Sequence, residues 1–152
     1  MTTTFDTVAD LLSCPPGTAL GHGSWRVVEQ PRIDTFADAT DDHQWIHVDA
    51  GRAAAGPYGT TIAHGMLTLS LVPIMIGELA AVPGASLGVN YGFDKVRFTH
   101  PVPVGSRIRA DVTVLAVSSV PGGAKATFKA VVEIEGVDKP ACIAEQTIVW
   151  ME

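Results

Sequence analysis

Asp42-His43-Gln44-Trp45-Ile46-His47 sets a carboxylate and an imidazole five residues apart, and Ile62-Ala63-His64-Gly65-Met66 follows it. Gly65 lies eighteen residues beyond His47, at the start of a long apolar stretch. An acid, a base and the N-terminus of a helix are the parts needed to add water across a double bond beside a thioester carbonyl. A carboxylate and an imidazole holding one water can move its protons, each contributing roughly 10²–10⁴-fold. A helix N-terminus offers free N–H groups and the positive end of the helix dipole to an oxygen gathering negative charge. No other part of the chain holds a comparable set.

Several elements must position these groups. Asp6 to Leu12 reads as a short helix stopped by Pro15-Pro16-Gly17, and Ser24 to Glu29 as a strand. Ile33, Phe36 and Ala37 predict a helix over Gln30 to Ala39, with Pro31 tolerated in its first turn. Asp49 is a candidate N-cap for a short helix through Arg52 to Ala55, and Gly56-Pro57-Tyr58-Gly59 forces a turn. Ala63 to Ala80 is apolar nearly all round, which predicts a helix enclosed in a core. Pro73 inside it predicts a kink or a change of helix type.

The period then changes. Ile108, Ala110, Val112 and Val114 alternate with Arg107, Arg109, Asp111 and Thr113, and Lys125 to Glu135 alternates similarly. Two-residue alternation means strands with one buried and one wet face. Val120-Pro121-Gly122-Gly123 and Glu135-Gly136-Val137-Asp138 read as hairpin connections. Leu87 to Phe98 and Ala141 to Trp150 complete four antiparallel strands, with Gly88 and Gly92 permitting a bend or bulge in the first. The expected architecture is α+β: a single domain over 1–152, its antiparallel sheet wrapped around a long buried helix and covering that helix on all sides.

The chain has 152 residues, 47% hydrophobic and 17% charged, enough for one folded domain with a core. A net charge of −6 argues against a nucleic-acid or membrane-surface binder. Cys14 and Cys142 make no disulfide framework. Met1-Thr-Thr-Thr-Phe-Asp shows no secretory signal, so the expected location is cytoplasmic.

Phe36-Ala-Asp-Ala-Thr-Asp-Asp-His-Gln-Trp-Ile-His-Val-Asp49 followed by Ala63-His-Gly-Met66 resembles the MaoC-like (R)-specific enoyl-CoA hydratases, especially their actinobacterial and mycobacterial branch. The resemblance extends into Lys95-Val-Arg-Phe98 and Pro101-Val-Pro-Val-Gly105. It implies the hot-dog fold, a homodimer joined sheet edge to sheet edge, and reversible (R)-specific hydration of trans-2-enoyl-CoA. It carries catalytic roles onto Asp42 and His47. The Gly65 N–H is the expected oxyanion donor, because a glycine there lets substrate approach the backbone. Tyr58, His64, Asn90, Lys95 and Arg97 are candidate substrate-binding residues, the two cations for CoA phosphates. No metal or organic cofactor is expected; CoA arrives with the substrate.

The sequence also departs from the family pattern. Asp41 stands where a glycine is common, and Gln44-Trp45 where Asn-Pro is usual. Trp45 is either wall material for the acyl pocket or core packing, and reads as packing. Pro73 occupies the position of a serine that orients the acid in some members, with Ser70 one turn earlier as a substitute. His64 is open between a site role and a structural one at the helix start, while His22 and His100 read as structural. An acyl-CoA thioesterase on the same fold and a non-catalytic acyl-thioester-binding subunit remain the rival readings.

Overall fold

The computed structural model describes residues 5–152; residues 1–4, which open the expected 1–152 domain and its leaderless start, lie outside the described residues. Helix α1 (Val8–Leu12) starts in a reciprocal cap. The Thr7 hydroxyl accepts from the Asp10 N–H at 3.2 Å while the Asp10 carboxylate accepts from the Thr7 N–H at 2.8 Å. The expected strand over Ser24 to Glu29 is only β2 (Arg26–Val27), and a strand the alternation did not signal, β1 (Ala19–His22), precedes it. Gly21 at φ +84° puts a register shift into β1, which hides it from a two-residue period.

Helix α2 (Gln30–Thr40) carries Pro31 in its first turn, as expected, and ends at Asp41 in the left-handed conformation. A single turn, α3 (Trp45–Val48), follows, and then α4 (Ala50–Ala54), capped by the Asp49 carboxylate accepting from the Arg52 N–H at 3.0 Å. Helix α5 (Gly65–Leu79) is the long central helix and stays α-helical through Pro73, without the change of helix type that was one expectation there.

Strands β3 (Leu87–Phe98), β4 (Arg107–Val120), β5 (Gly123–Ile134) and β6 (Val137–Met151) follow in the expected antiparallel sequence. Among the described residues the sheet runs β1-β4-β5-β6-β3, with β2 paired beside β4. Its alternation buries Ile108, Ala110, Val112, Val114, Phe128 and Val132 against Leu67, Val72, Met75 and Ile76 of α5. Each such large apolar side chain contributes about 1.5–3 kcal/mol by leaving water. A sheet curled over one long helix is the hot-dog arrangement.

The helix is not enclosed on all sides. Met66 is 56% exposed and Ile74 is 54% exposed, and with Ser70 and Gly77 they form an open stripe along α5. The sheet covers one side of α5 and leaves this stripe bare. Strand β3 is an uncovered edge, with Leu87, Val89, Tyr91, Phe93 and Phe98 all exposed.

Candidate active site

Three segments meet where α5 begins. The Ile62 N–H donates to the Ile46 carbonyl at 3.0 Å, the Ala63 N–H to Val102 at 2.8 Å and the Val104 N–H to Thr61 at 3.0 Å. Gln30 ties in the start of α2: its Nε2 donates to the His47 carbonyl at 2.7 Å and its Oε1 accepts from the Thr61 hydroxyl at 2.6 Å. The turn bearing His47, the start of α5 and the Pro101–Val104 segment are thus held as one unit.

His47 is buried, and its Nδ1 lies 2.7 Å from the Ile62 carbonyl oxygen. A carbonyl only accepts, so Nδ1 carries the proton and Nε2 keeps its lone pair. Burial pushes the His47 pKa below its ordinary 6.5, and the neighbouring His64 pushes the same way; the Ile62 hydrogen bond and Asp42 oppose them. His47 is therefore a neutral base near pH 7, with Nε2 as the accepting atom.

Asp42 follows directly from the left-handed Asp41, φ +59°, which ends α2. A glycine adopts that backbone without strain, which accounts for the family's preference there. The exposed Asp42 carboxylate accepts weakly from the Gln44 N–H at 3.4 Å. One of its oxygens and one nitrogen from each of His47 and His64 lie within 4.8 Å of one another.

His64 is also buried, and its Nε2 donates to the Asp42 carbonyl at 2.9 Å. Its ring stacks on His47, centroids 3.8 Å apart and planes 23° from parallel, with the Phe36 ring tilted against it at 4.9 Å. His64 makes no side-chain cap on α5, and its Nδ1 is buried without a partner. Near-parallel stacked rings cannot both hold one ion in their planes at the ~2.0–2.1 Å of a metal–imidazole bond. Asp42, His47 and His64 thus suit proton chemistry better than a metal.

A cavity of about 350 Å³ opens beside this cluster, with His47, Tyr58, Gly65, Thr68, Phe98 and His100 among its walls. Among the described residues, the Gly65 and Met66 N–H groups donate to no backbone carbonyl, which leaves them for a ligand. A Cβ at Gly65 would lie 3.0 Å from the Phe98 ring, so only glycine fits without displacing it. His100, read as structural, lines this cavity; its Nδ1 donates to the Pro101 carbonyl at 2.6 Å. Thr68 and Phe98 were likewise not singled out for the site. Only the long-range pairing of Ile62 with Pro103 brings residues 98–102 to the helix start.

The other expected binders sit elsewhere. The Asn90 Oδ1 accepts from Gln146 Nε2 at 2.7 Å, eight residues up β3 from Phe98 and so ~26 Å along the strand. The Lys95 ammonium is 3.7 Å from Glu145, and Arg97 donates to the Val96 carbonyl. None of the three lines the cavity. Ser70 donates to the Met66 carbonyl at 2.7 Å on the open side of α5, so it does not orient Asp42 in place of the missing serine. His43 pairs with Asp38 at 2.8 Å outside the cluster. Trp45 is half-buried and does not line the cavity; Arg52 lies over its ring at 4.3 Å and Gly56 against its edge.

Residues 12–136 match the model of the MaoC like domain. The chain belongs to the MaoC-like domain family. Among its MaoC-like relatives is 3-hydroxyacyl-thioester dehydratase Z of Mycobacterium tuberculosis, 50% identical over 146 residues that cover 95% of this chain and 96% of the relative. Nodulation protein N of Rhizobium leguminosarum bv. viciae is 46% identical over 132 residues, 84% of this chain and 81% of that protein. An unliganded R-hydratase from Pseudomonas aeruginosa superposes with a TM-score of 0.76 at 24% identity, over 97% of this chain and 86% of that one. That likeness supports the MaoC-like hot-dog fold.

Proposed function

We propose that this chain is an (R)-specific hydro-lyase that adds water to trans-2-enoyl-CoA, giving (3R)-3-hydroxyacyl-CoA, and catalyses the reverse dehydration. The observation that carries the reading is the cluster itself. A neutral His47 with a free Nε2 lies close to the Asp42 carboxylate, beside a cavity that reaches the free N–H groups at the start of α5.

In the forward direction His47 Nε2 and an Asp42 oxygen each accept one proton of a single water. One of them takes its proton as the water oxygen bonds to C3, then returns it to C2. Both new bonds form on the face where the pair stands, so one enantiomer results. Charge gathering on the thioester oxygen is met by the Gly65 N–H and the α5 dipole, a contribution of the kind worth about 10²–10³-fold in rate. This sequence of steps calls on no metal or organic cofactor.

Tyr58 walls the acyl or pantetheine path, and His64 holds the Asp42 backbone. Lys95 and Arg97 stand exposed on the strand that ends at Phe98, where CoA phosphates would lie outside the cavity. Asn90 is left out of the site. The bare β3 edge and its exposed apolar side chains support a homodimer built by β3 pairing with its copy. Burial raises the Cys142 thiol to about 11, and Cys14 is likewise free. No helix among the described residues is long and apolar enough to cross a membrane. We place the enzyme's work in the cytoplasm.

The test follows two signals from crotonyl-CoA: loss of the enoyl absorbance and release of free thiol. Alkene loss without thiol supports hydration. Thiol release at the same rate would transfer the protein to the thioesterases, and binding without either signal would make it a non-catalytic subunit.

A further inference from the structure

Thr68 is 2% exposed, yet it lines the cavity together with His47, Gly65 and Phe98. It lies three residues after Gly65, on the same helix face, and helical side chains lean toward the N-terminus. Its side chain therefore covers the turn that presents the Gly65 N–H.

Its hydroxyl behaves unlike other hydroxyls on these helices. Thr35 donates to the Pro31 carbonyl at 2.8 Å, Thr40 to Phe36 at 2.7 Å and Ser70 to Met66 at 2.7 Å, each the carbonyl four residues back. For Thr68 that acceptor is the His64 carbonyl, which already receives the Leu67 N–H at 3.1 Å and the Thr68 N–H at 3.2 Å. Both of its lone pairs are occupied, and the Thr68 hydroxyl bonds to no group among the described residues. It is not sealed in either, unlike Arg26 Nε, His64 Nδ1 and Gln146 Oε1, which are buried without partners. A side chain whose hydroxyl has no partner among the described residues thus lines the cavity beside Gly65.

We propose that Thr68 is a catalytic residue whose hydroxyl donates, beside the Gly65 N–H, to the carbonyl oxygen of the bound thioester. One N–H satisfies one lone pair of the developing oxyanion, and the hydroxyl takes the second. The role rests on the hydratase reading and adds to it a side-chain donor beside the backbone N–H groups at the start of α5.

Thr68→Val keeps the shape and removes the hydroxyl, while Thr68→Ser keeps the hydroxyl and removes a methyl. With crotonyl-CoA, Thr68→Val lowers kcat and kcat/KM together by about 10²-fold, the usual loss for one oxyanion donor. Its melting temperature is unchanged or higher, because a buried hydroxyl without a protein partner stabilises nothing. Thr68→Ser stays within about tenfold of the parent. A Thr68→Val variant that turns over like the parent overturns the proposal. Equal losses in the Val and Ser variants overturn it as well, since they would trace the effect to shape. An inert parent protein would overturn the hydratase reading itself, and this role with it.

Discussion

Gly65→Ala separates the geometry of the helix start from its stability. An added Cβ would meet Phe98 Cγ at 3.0 Å and Cδ1 and Cδ2 at 3.1 Å, inside ordinary carbon contact. Phe98 is half-exposed and belongs to the edge strand, so its ring yields outward by a few tenths of an ångström. Folding is therefore nearly indifferent: alanine gains up to about 1 kcal/mol of helix propensity and gives some of it back in crowding. Catalysis is not indifferent, because the same Cβ sits where the thioester approaches the Gly65 N–H. A misplacement of ~1 Å at a reacting centre costs on the order of 10²-fold. We expect kcat/KM for crotonyl-CoA to fall about 10²-fold, with the unfolding free energy within about 1 kcal/mol of the parent in a urea titration. Adding Phe98→Ala should recover the part of the loss that comes from the displaced ring. Near-parental turnover in Gly65→Ala would refute the close approach, and with it the oxyanion role of that N–H.

Four further outcomes follow. His47 must be neutral to accept a proton and its pKa lies below 6.5, so kcat/KM stays flat through neutral pH and declines only below that value; a decline beginning above it would contradict the lowering of the His47 pKa by burial. Linkage gives stability the same sense: the unfolded chain binds the extra proton first, so stability falls as pH drops from 6.5 through the lowered pKa and the His47 contribution then levels off. Asp41→Gly relieves a left-handed non-glycine residue at the end of α2, and thermal unfolding should show about 0.5–1 kcal/mol of added stability with turnover unchanged; a loss of stability would mean the Asp41 side chain holds the turn. Val89→Lys puts a charge on the exposed apolar edge strand, and light scattering should show a dimeric parent and a monomeric variant; a dimeric variant would move the interface away from β3.

The sheet was legible from two-residue alternation, and the central helix from an apolar run too long for a strand. Alternation over residues 107–114 and 125–135, with turns at Gly122 and Gly136 at φ of +75° and +77°, leaves little choice of hairpins. Helix α3 spans only Trp45–Val48 and has too few residues for a period, although it carries the candidate base. The Asp42 to His47 spacing was readable as a motif, but the tautomer of His47 was not, since it depends on a carbonyl fifteen residues away. His100 and Phe98 reach the cavity through pairing that no local pattern encodes. Bulges between Asn90 and Gly92 and between Asp94 and Arg97 set where β3 side chains point, which is why Asn90, Lys95 and Arg97 could not be placed from sequence. The bare stripe on α5 was missed because Met66 and Ile74 are apolar and read as core.

The central claim is that Asp42 and His47 add water to an enoyl thioester on one face. Its most direct test is crotonyl-CoA turnover by the parent and by Asp42→Asn, with the 3-hydroxy product resolved by chirality. The account predicts a (3R) product from the parent and at least a ~10²-fold slower reaction from a folded Asp42→Asn protein. A (3S) or racemic product, or an Asp42→Asn variant as fast as the parent, would contradict it.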